Sequence, residues 1–123
     1  MTALAHTCHA IGCSIRVPPR MLMCARHWRM VPRKTQITVW NEYRPGQEMD
    51  KKPSLGYLAI QRMAVGEVAE KEGRHDEAQT CFRAAVRYVQ LMKESGQDFR
   101  GSRSENGQLA LELTASMAKG VRS

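Results

Sequence analysis

Four side chains able to bind a transition metal stand close together near the start of this chain. Cys8, Cys13, Cys24 and His27 follow the pattern C-x4-C-x10-C-x2-H. Thiolate and imidazole ligands in two close pairs can complete a tetrahedral Zn²⁺ shell. Because such a shell leaves no position for a catalytic water, the pattern predicts one structural zinc ion bound by these four residues.

Two further histidines lie beside the first cysteine of the pattern. His6 and His9 are close enough in sequence to replace one of the four ligands or to donate a hydrogen bond to one. The simpler interpretation, which we favour, is that both are polar loop residues. The sequence leaves open whether either takes part in the metal site.

The sequence lacks the usual signatures of catalysis. An open zinc site needs a general base, and the deaminase pairing of His-x-Glu with Pro-Cys-x-x-Cys does not occur. A phosphate-binding glycine loop and a dinucleotide fingerprint are also missing. Cys81 stands alone, and we expect it to be a small buried hydrophobic residue. We therefore expect a protein that is not an enzyme.

Positive charge is concentrated in the first part of the chain. The formal net charge is +7, and residues 1–53 hold nine Lys and Arg against three Asp and Glu. A basic face attracts phosphate groups or an acidic protein surface. The alternative is an ordinary solvated surface rich in arginine. The candidate nucleic-acid contacts are Arg26, Arg29, Arg33, Lys34 and Arg44.

Aromatic residues alternate with these cations. Trp28, Trp40 and Tyr43 have the chemistry to stack on bases while neighbouring arginines bind phosphates. For the two tryptophans we favour a different prediction, in which the rings pack around the metal and onto the helices. The arginines then remain the main basis for predicting nucleic-acid binding.

The residues around the ligands predict a small finger containing a short β-hairpin. Residues 14–17 alternate polar and apolar side chains, residues 18–20 interrupt them, and an apolar segment follows at 21–23. Cys24 and His27 are three residues apart, so they share one face of a helix that begins there. This order of elements resembles a treble-clef-like zinc finger over about residues 6–30.

The rest of the chain is predicted to be helical. Pro32 suits the first position of a helix carrying Ile37, Trp40 and Tyr43 at a spacing of three, although a strand over 37–39 is the alternative. Residues 43–47 predict a turn. A second helix is expected from Leu55 to Glu72.

Two more helices are expected after Gly73. The first carries a stripe of apolar residues and ends at Gly96. A capping box at Ser102 and Glu105 predicts the last helix, which extends to about Lys119. The stripe consists of Ala78, Phe82, Ala85, Val89 and Met92.

The predicted fold is therefore mainly α. It consists of a zinc finger at 1–31, a basic helix and connector at 32–53, and a three-helix C-terminal bundle at 54–123. Residues 62–88 also resemble one tetratricopeptide-type helical hairpin. No second copy of that repeat occurs, so the resemblance implies a single hairpin. The positions that carry it are Gly66, Ala78, Phe82 and Ala85.

A second resemblance concerns the origin of the protein. The run Cys-His-Ala-Ile-Gly-Cys at 8–13, the segment 17–32 and the Tyr-Arg-Pro-Gly-Gln turn at 43–47 are similar to short zinc-motif proteins of bacteriophages and prophages. The resemblance covers about residues 6–50. It implies a small accessory protein acting in the cytoplasm of a bacterium, and it implies no particular activity.

These observations predict a non-enzymatic accessory or regulatory protein that binds nucleic acid, or a complex that processes it, through a basic N-terminal face. The alternative is an adaptor or inhibitor that binds a bacterial host protein through its helical C-terminal part. A homo-oligomer is compatible with either function. Four cysteines without a secretory leader favour a reducing cytoplasm, and the absence of a long apolar run favours a protein that does not enter a membrane.

Overall fold

Helices make up most of the chain that the structure describes. In the computed structural model these described residues are 6–47 and 52–99. The helices are α1 (Ala25–Trp28), α2 (Arg33–Glu42), α3 (Leu55–Lys71) and α4 (His75–Glu94). The mainly α architecture is confirmed. The predicted last helix, from Ser102 to about Lys119, lies outside the described residues.

The longest helices, α3 and α4, pack against each other as a helical hairpin. Ser54 caps α3, its hydroxyl oxygen accepting a hydrogen bond from the Tyr57 amide. Gly73 lies between the helices with φ +80°, a left-handed conformation that residues with a side chain rarely adopt. The Phe82 ring lies against Gly66, where a Cβ would fall 2.7 Å from the ring. These features give the hairpin a closely packed apolar core.

The amphipathic stripe predicted for α4 is buried in this core. Ala78 and Ala85 are completely inaccessible to solvent, and Cys81 is buried beside them. On the facing helix, Ile60 and Val68 are also completely inaccessible. The prediction of a helical hairpin ending near Gly96 is therefore confirmed, as is the burial of the Cys81 thiol.

Helix α2 packs on α3 through Val39 and several buried polar residues. The choice of helix over strand is confirmed, and Pro32 is the N-cap residue immediately before α2. Thr35, Thr38 and Glu42 are buried against the core side of the helix. Because Gly56 has no side chain, α3 leaves room for the Glu42 carboxylate, which also accepts a hydrogen bond from the Ser54 hydroxyl. Of the apolar residues predicted at a spacing of three, Ile37 and Trp40 are exposed, whereas Tyr43 is half-buried and packs against the core.

A short β-hairpin is not seen in the finger, so this part of the predicted fold is wrong. Among the residues that the structure describes, only an isolated antiparallel bridge links Thr7 to Arg16. The amide of Cys8 donates to the Ile15 carbonyl at 2.8 Å. The segment after the prolines does not pair with residues 14–17. Its Leu22 carbonyl instead accepts a hydrogen bond from the His9 amide, at 3.0 Å.

The two adjacent prolines explain the difference. Pro18 and Pro19 lack the amide hydrogen that a ladder of strand pairs needs. The Met21 amide closes a tight turn by donating to the Pro18 carbonyl at 2.9 Å. The chain then passes beside residues 8–9 on its way to α1. Separate backbone hydrogen bonds therefore take the place of the predicted pair of strands.

The described helices do not have the character of membrane spans. None of them, in residues 6–47 and 52–99, combines the length and the apolar character needed to cross a lipid bilayer.

Candidate metal centre

The four predicted ligands come together in the structure. Their donor atoms, three Sγ and one imidazole nitrogen, all lie within 4.8 Å of one another. The first ligand pair belongs to a turn at residues 8–13, here called the knuckle. The second pair belongs to α1. The members of this cluster are Cys8, Cys13, Cys24 and His27.

Local structure positions each pair. In the knuckle, the Cys13 amide donates to the Ala10 carbonyl at 3.1 Å, and Gly12 has φ +83°. This left-handed residue reverses the chain so that both cysteines face the same side. Cys24 is the N-cap of α1 and His27 lies in its first turn. The i, i+3 spacing directs the two side chains to one point, as expected.

The distances fit a tetrahedral shell. Nδ1 of His27 lies 3.6 Å from Sγ of Cys8 and 3.3 Å from Sγ of Cys24. In a tetrahedron with the bond lengths usual for zinc, neighbouring sulfur and nitrogen ligands are about 3.5 Å apart. The donor set and its spacing are therefore suited to one metal ion.

Most of the cluster is shielded from solvent. Cys8, Cys24 and His27 are buried, and Cys13 is half-buried. Cys13 lines an open cleft of about 410 Å³ between the knuckle, α1 and the start of α4. Solvent therefore approaches the cluster from the side of Cys13.

The surroundings of the thiols set which one ionises first. Burial raises the pKa of the Cys8 thiol to about 11. Burial also disfavours the Cys24 thiolate, but the backbone amide and side chain of His27 outweigh it and lower the pKa of Cys24 to about 7. Since metals bind the thiolate, Cys24 is better prepared than Cys8 to bind a metal at neutral pH.

One residue outside the ligand set supports His27, and no sequence pattern pointed to it. Nε2 of His27 lies 3.1 Å from Oε2 of Glu72, the residue that follows α3. A hydrogen bond from Nε2–H to this carboxylate leaves Nδ1 unprotonated and directed at the cluster, as in many metal-bound histidines. Arg26 lies 3.8 Å from the same carboxylate oxygen. Glu72 was missed because 45 residues separate it from His27.

His6 and His9 are not part of the cluster. Nε2 of His6 lies 2.8 Å from the Met21 carbonyl oxygen, and Nδ1 of His9 lies 3.2 Å from the Leu22 carbonyl oxygen. Burial lowers the pKa of the His9 imidazole, which favours its neutral form. Both rings thus hold the segment that leads into Cys24.

The finger, defined here as residues 6–31, is attached to one end of the helical hairpin. Ile11 of the knuckle packs against a small cluster that includes Phe82. The Lys71 ammonium donates to the Met30 carbonyl. Gly12 lies under the Arg74 guanidinium, where a Cβ would collide with it. The end of α3 and the following turn therefore hold both the knuckle and the α1 side of the metal centre.

The structure does not gather all five candidate nucleic-acid contacts into one patch. Four of them lie between residues 26 and 34, and their side chains are exposed. Arg44 is half-buried after the other end of α2, and its guanidinium donates to the Lys52 carbonyl at 3.1 Å. At 1.5 Å per helical residue, the two ends of α2 are about 14 Å apart. The four at the α1–α2 junction are Arg26, Arg29, Arg33 and Lys34.

The aromatic residues are buried to different extents. Trp28 is half-buried and packs against the core. Trp40 is 44% exposed. The prediction that both rings pack inward therefore describes Trp28 better than Trp40.

Comparison with known proteins gave no match: no family model, no curated protein and no solved structure is similar to this chain. The resemblances to phage zinc-motif proteins and to a tetratricopeptide-type repeat therefore stay predictions.

Proposed function

We propose that this chain is a zinc-stabilised, non-enzymatic accessory protein that binds nucleic acid, or a complex that processes it, through its basic N-terminal part. In this proposal Zn²⁺ is bound by Cys8, Cys13, Cys24 and His27 and has a structural role. The resemblance to phage zinc-motif proteins supports an origin in a bacteriophage or prophage and action in a bacterial cytoplasm.

One observation carries the proposal. Nine of the cations and only three of the acidic residues belong to positions 1–53, and the metal centre orders the backbone from which several of these cations project. Arg29 and Arg33 are exposed beside it. The acidic residue of α2, Glu42, is turned into the core with 2% exposure. Within residues 6–47, the outward side therefore carries exposed cations and no exposed carboxylate.

The zinc ion has a clear role in this arrangement. The cluster fastens residues 8–13 to residues 24–27, and Glu72 joins His27 to the end of α3. The cations on α1 and α2 are held in place as a consequence. Loss of the metal should therefore weaken binding without removing any cation from the chain.

The test is a titration of fluorescently labelled oligonucleotides, followed by anisotropy at several salt concentrations. Binding should weaken steeply with salt because each phosphate contact releases a condensed counterion. The double variant Arg29→Glu and Arg33→Glu should lower the affinity and the slope of that dependence, the slope by about 0.7–0.9 for each lost contact.

The matched control places the same charge change on the exposed side of α4. Arg83→Glu with Arg87→Glu alters the net charge equally, far along the chain from the metal centre. This control should bind the oligonucleotide more tightly than the variant with Arg29→Glu and Arg33→Glu. An absence of binding at low salt, or equal losses in the two variants, would contradict the proposal.

The adaptor alternative has less support in the described residues. The exposed large apolar side chains there are Ile15, Ile37 and Trp40, all in the N-terminal part. Neither α3 nor α4 presents one. A partner that remains bound after nuclease treatment of a bacterial lysate, and depends on residues of α4, would favour the adaptor.

A further inference from the structure

The outward face of α2 combines apolar and cationic side chains. Arg33, Ile37 and Trp40 follow one another at spacings of four and three, which places them along one face of the helix. Ile37 is 39% exposed and Trp40 is 44% exposed. The exposed indole is therefore preceded on its own helix face by a guanidinium.

The Trp40 ring is held in position by other aromatic rings. Its centroid lies 6.4 Å from that of Trp28 and 5.7 Å from that of Tyr43. The interplanar angles are 74° and 77°, so these contacts are edge-to-face. Neither neighbour stacks flat on Trp40. The indole is thus fixed in place while its faces stay uncovered by these rings.

This ring borders a crevice that does not admit a water molecule, and the surface at the mouth of the crevice is here called the aromatic groove. Residues 20–23 of the finger form one side and α2 forms the other, with Tyr57 of α3 at its base. Arg20 lies at its edge and is exposed. Because the Glu42 carboxylate is buried, α2 adds no negative charge to this side. The groove therefore has an aromatic wall and cationic edges.

These features distinguish between classes of nucleic acid. A duplex keeps its bases stacked on each other and presents mainly phosphates and base edges to a protein. A single strand can turn its bases outward to stack on aromatic side chains, while cations follow its backbone. An indole that is 44% exposed, with Arg33 on its own helix face and Arg20 on the adjoining finger segment, suits the second arrangement.

We propose that the aromatic groove binds single-stranded nucleic acid, with a base stacked on Trp40 and phosphates bound by Arg20 and Arg33. This inference rests on the proposed function, since it names the class of nucleic acid that the basic part recognises. Ile37 extends the apolar surface next to the stacked base.

The first experiment uses the full chain carrying Trp28→Phe, which leaves Trp40 as its remaining tryptophan. Addition of an oligothymidine single strand should quench the Trp40 fluorescence with the same midpoint as anisotropy of the labelled strand. A duplex of equal length should bind more weakly and cause little quenching. Circular dichroism and zinc content verify that the variant is folded.

The second experiment measures the affinity of single variants for the same strand. Trp40→Ala should weaken binding about 5- to 150-fold, which is the range for loss of one stacked base. Trp40→Phe should restore much of the loss, because phenylalanine keeps a face for stacking. Ile15→Ala is the matched control, since it removes an exposed apolar side chain of the finger and should leave the affinity unchanged.

The outcomes separate this inference from the proposed function. If single strand and duplex bind equally and Trp40→Ala affects neither, the groove does not stack bases, although the basic part still binds nucleic acid. If no nucleic acid binds at low salt, both proposals fail. If no strand binds but Trp40→Ala abolishes retention of a purified protein partner, the groove is a protein-docking site and the inference is overturned.

Discussion

The finger and the helical hairpin maintain their structures by different means. The finger contains one helix of four residues and an isolated β-bridge within its described part. Helices α3 and α4 contain 17 and 20 residues and bury side chains that solvent does not reach at all. Segments below about 40 residues usually need a metal, a disulfide or a partner to stay folded. In the finger, a cluster of four ligands that could hold a metal adds to the apolar residues shared with the core, whereas apolar packing alone holds the hairpin.

The two regions are connected through a shared apolar core and a few polar contacts. Met23 and Val31 of the finger belong to the same buried cluster as Ile60 of α3. Glu72 follows α3 and faces His27, and Lys71 holds the Met30 carbonyl. Helix α2 lies against α3 through buried threonine and glutamate side chains. We therefore expect changes in stability of different size when the metal is removed, when a polar contact is broken and when the apolar core is altered.

Removal of the metal should have the largest effect. A chelator is expected to unfold residues 6–31 and to leave α3 and α4 largely helical, because metal binding and folding are coupled in small zinc sites at about 10–16 kcal/mol. Hydrogen exchange would show protection lost in the finger and retained in the hairpin. Equal loss of protection in both regions would contradict the comparison.

The substitution Cys24→Ser should unfold the finger as removal of the metal does. Loss of one thiolate ligand is expected to lower solubility and the zinc content sharply. Thermal melting of this variant beside Cys81→Ser provides the check. A lower melting temperature for Cys81→Ser than for Cys24→Ser would show that the roles of the two cysteines are reversed.

Glu67 should make the α2–α3 contact sensitive to pH. Burial raises the pKa of its carboxyl from 4.5 to about 7, and the nearby Thr35 hydroxyl and Lys71 ammonium offset only part of this effect. The folded state therefore binds the Glu67 proton more tightly than the unfolded state does. The stability that protonated Glu67 contributes is complete below pH 4.5 and is lost as the pH rises to about 7.

Glu67→Gln removes this loss because glutamine does not ionise. The free energy of unfolding of the variant, relative to the unmodified chain, should rise by about 2 kcal/mol between about pH 5.5 and about pH 8. Urea melts at each pH measure it, with the exposed Glu94→Gln on α4 as control. A constant difference across this range would show that Glu67 does not carry the effect.

Glu72→Gln should affect the finger more than the hairpin. Loss of the carboxylate beside His27 is expected to weaken metal affinity about 10- to 100-fold, as for other supporting residues of metal sites. Competition with a zinc chelator gives the affinity. Glu77→Gln removes an exposed carboxylate that pairs with Arg74 at 3.3 Å and should leave the affinity unchanged. Equal zinc affinities in the two variants would show that Glu72 does not support metal binding.

Cys81→Ser should have the smallest effect. A buried hydroxyl in place of the thiol costs about 1–2 kcal/mol when it lacks a hydrogen-bond partner. The zinc content should stay at the level of the unmodified chain, because Cys81 belongs to the core of the hairpin. Loss of zinc in this variant would contradict the assignment of the ligands.

The features that sequence spacing predicted best are those built from neighbours in the chain. Cys24 and His27 share one turn of helix, and the stripe of α4 repeats at four and three residues, so local geometry alone determines their arrangement. Gly73 and Gly96 have positive φ angles at the ends of α3 and α4. For these elements the pattern of residue types is sufficient.

The features that were missed depend on contacts between distant segments. The partner of residues 14–17 is residues 6–8 instead of 21–23, and no local pattern distinguishes these pairings. Helix α2 buries Glu42 because Gly56 leaves room for it on another helix, and its Ile37 and Trp40 are exposed although Val39 is buried. Glu72 reaches His27 only after the whole helical hairpin has folded back.

Zinc content is the most direct test of the central claim that four side chains bind one structural ion. The protein should be purified without chelator, with its thiols kept reduced, and analysed by elemental and native mass spectrometry. We expect one zinc ion per chain, retained in Cys81→Ser and depleted in Cys24→Ser. A reduced, folded chain without a stoichiometric transition metal would contradict the account.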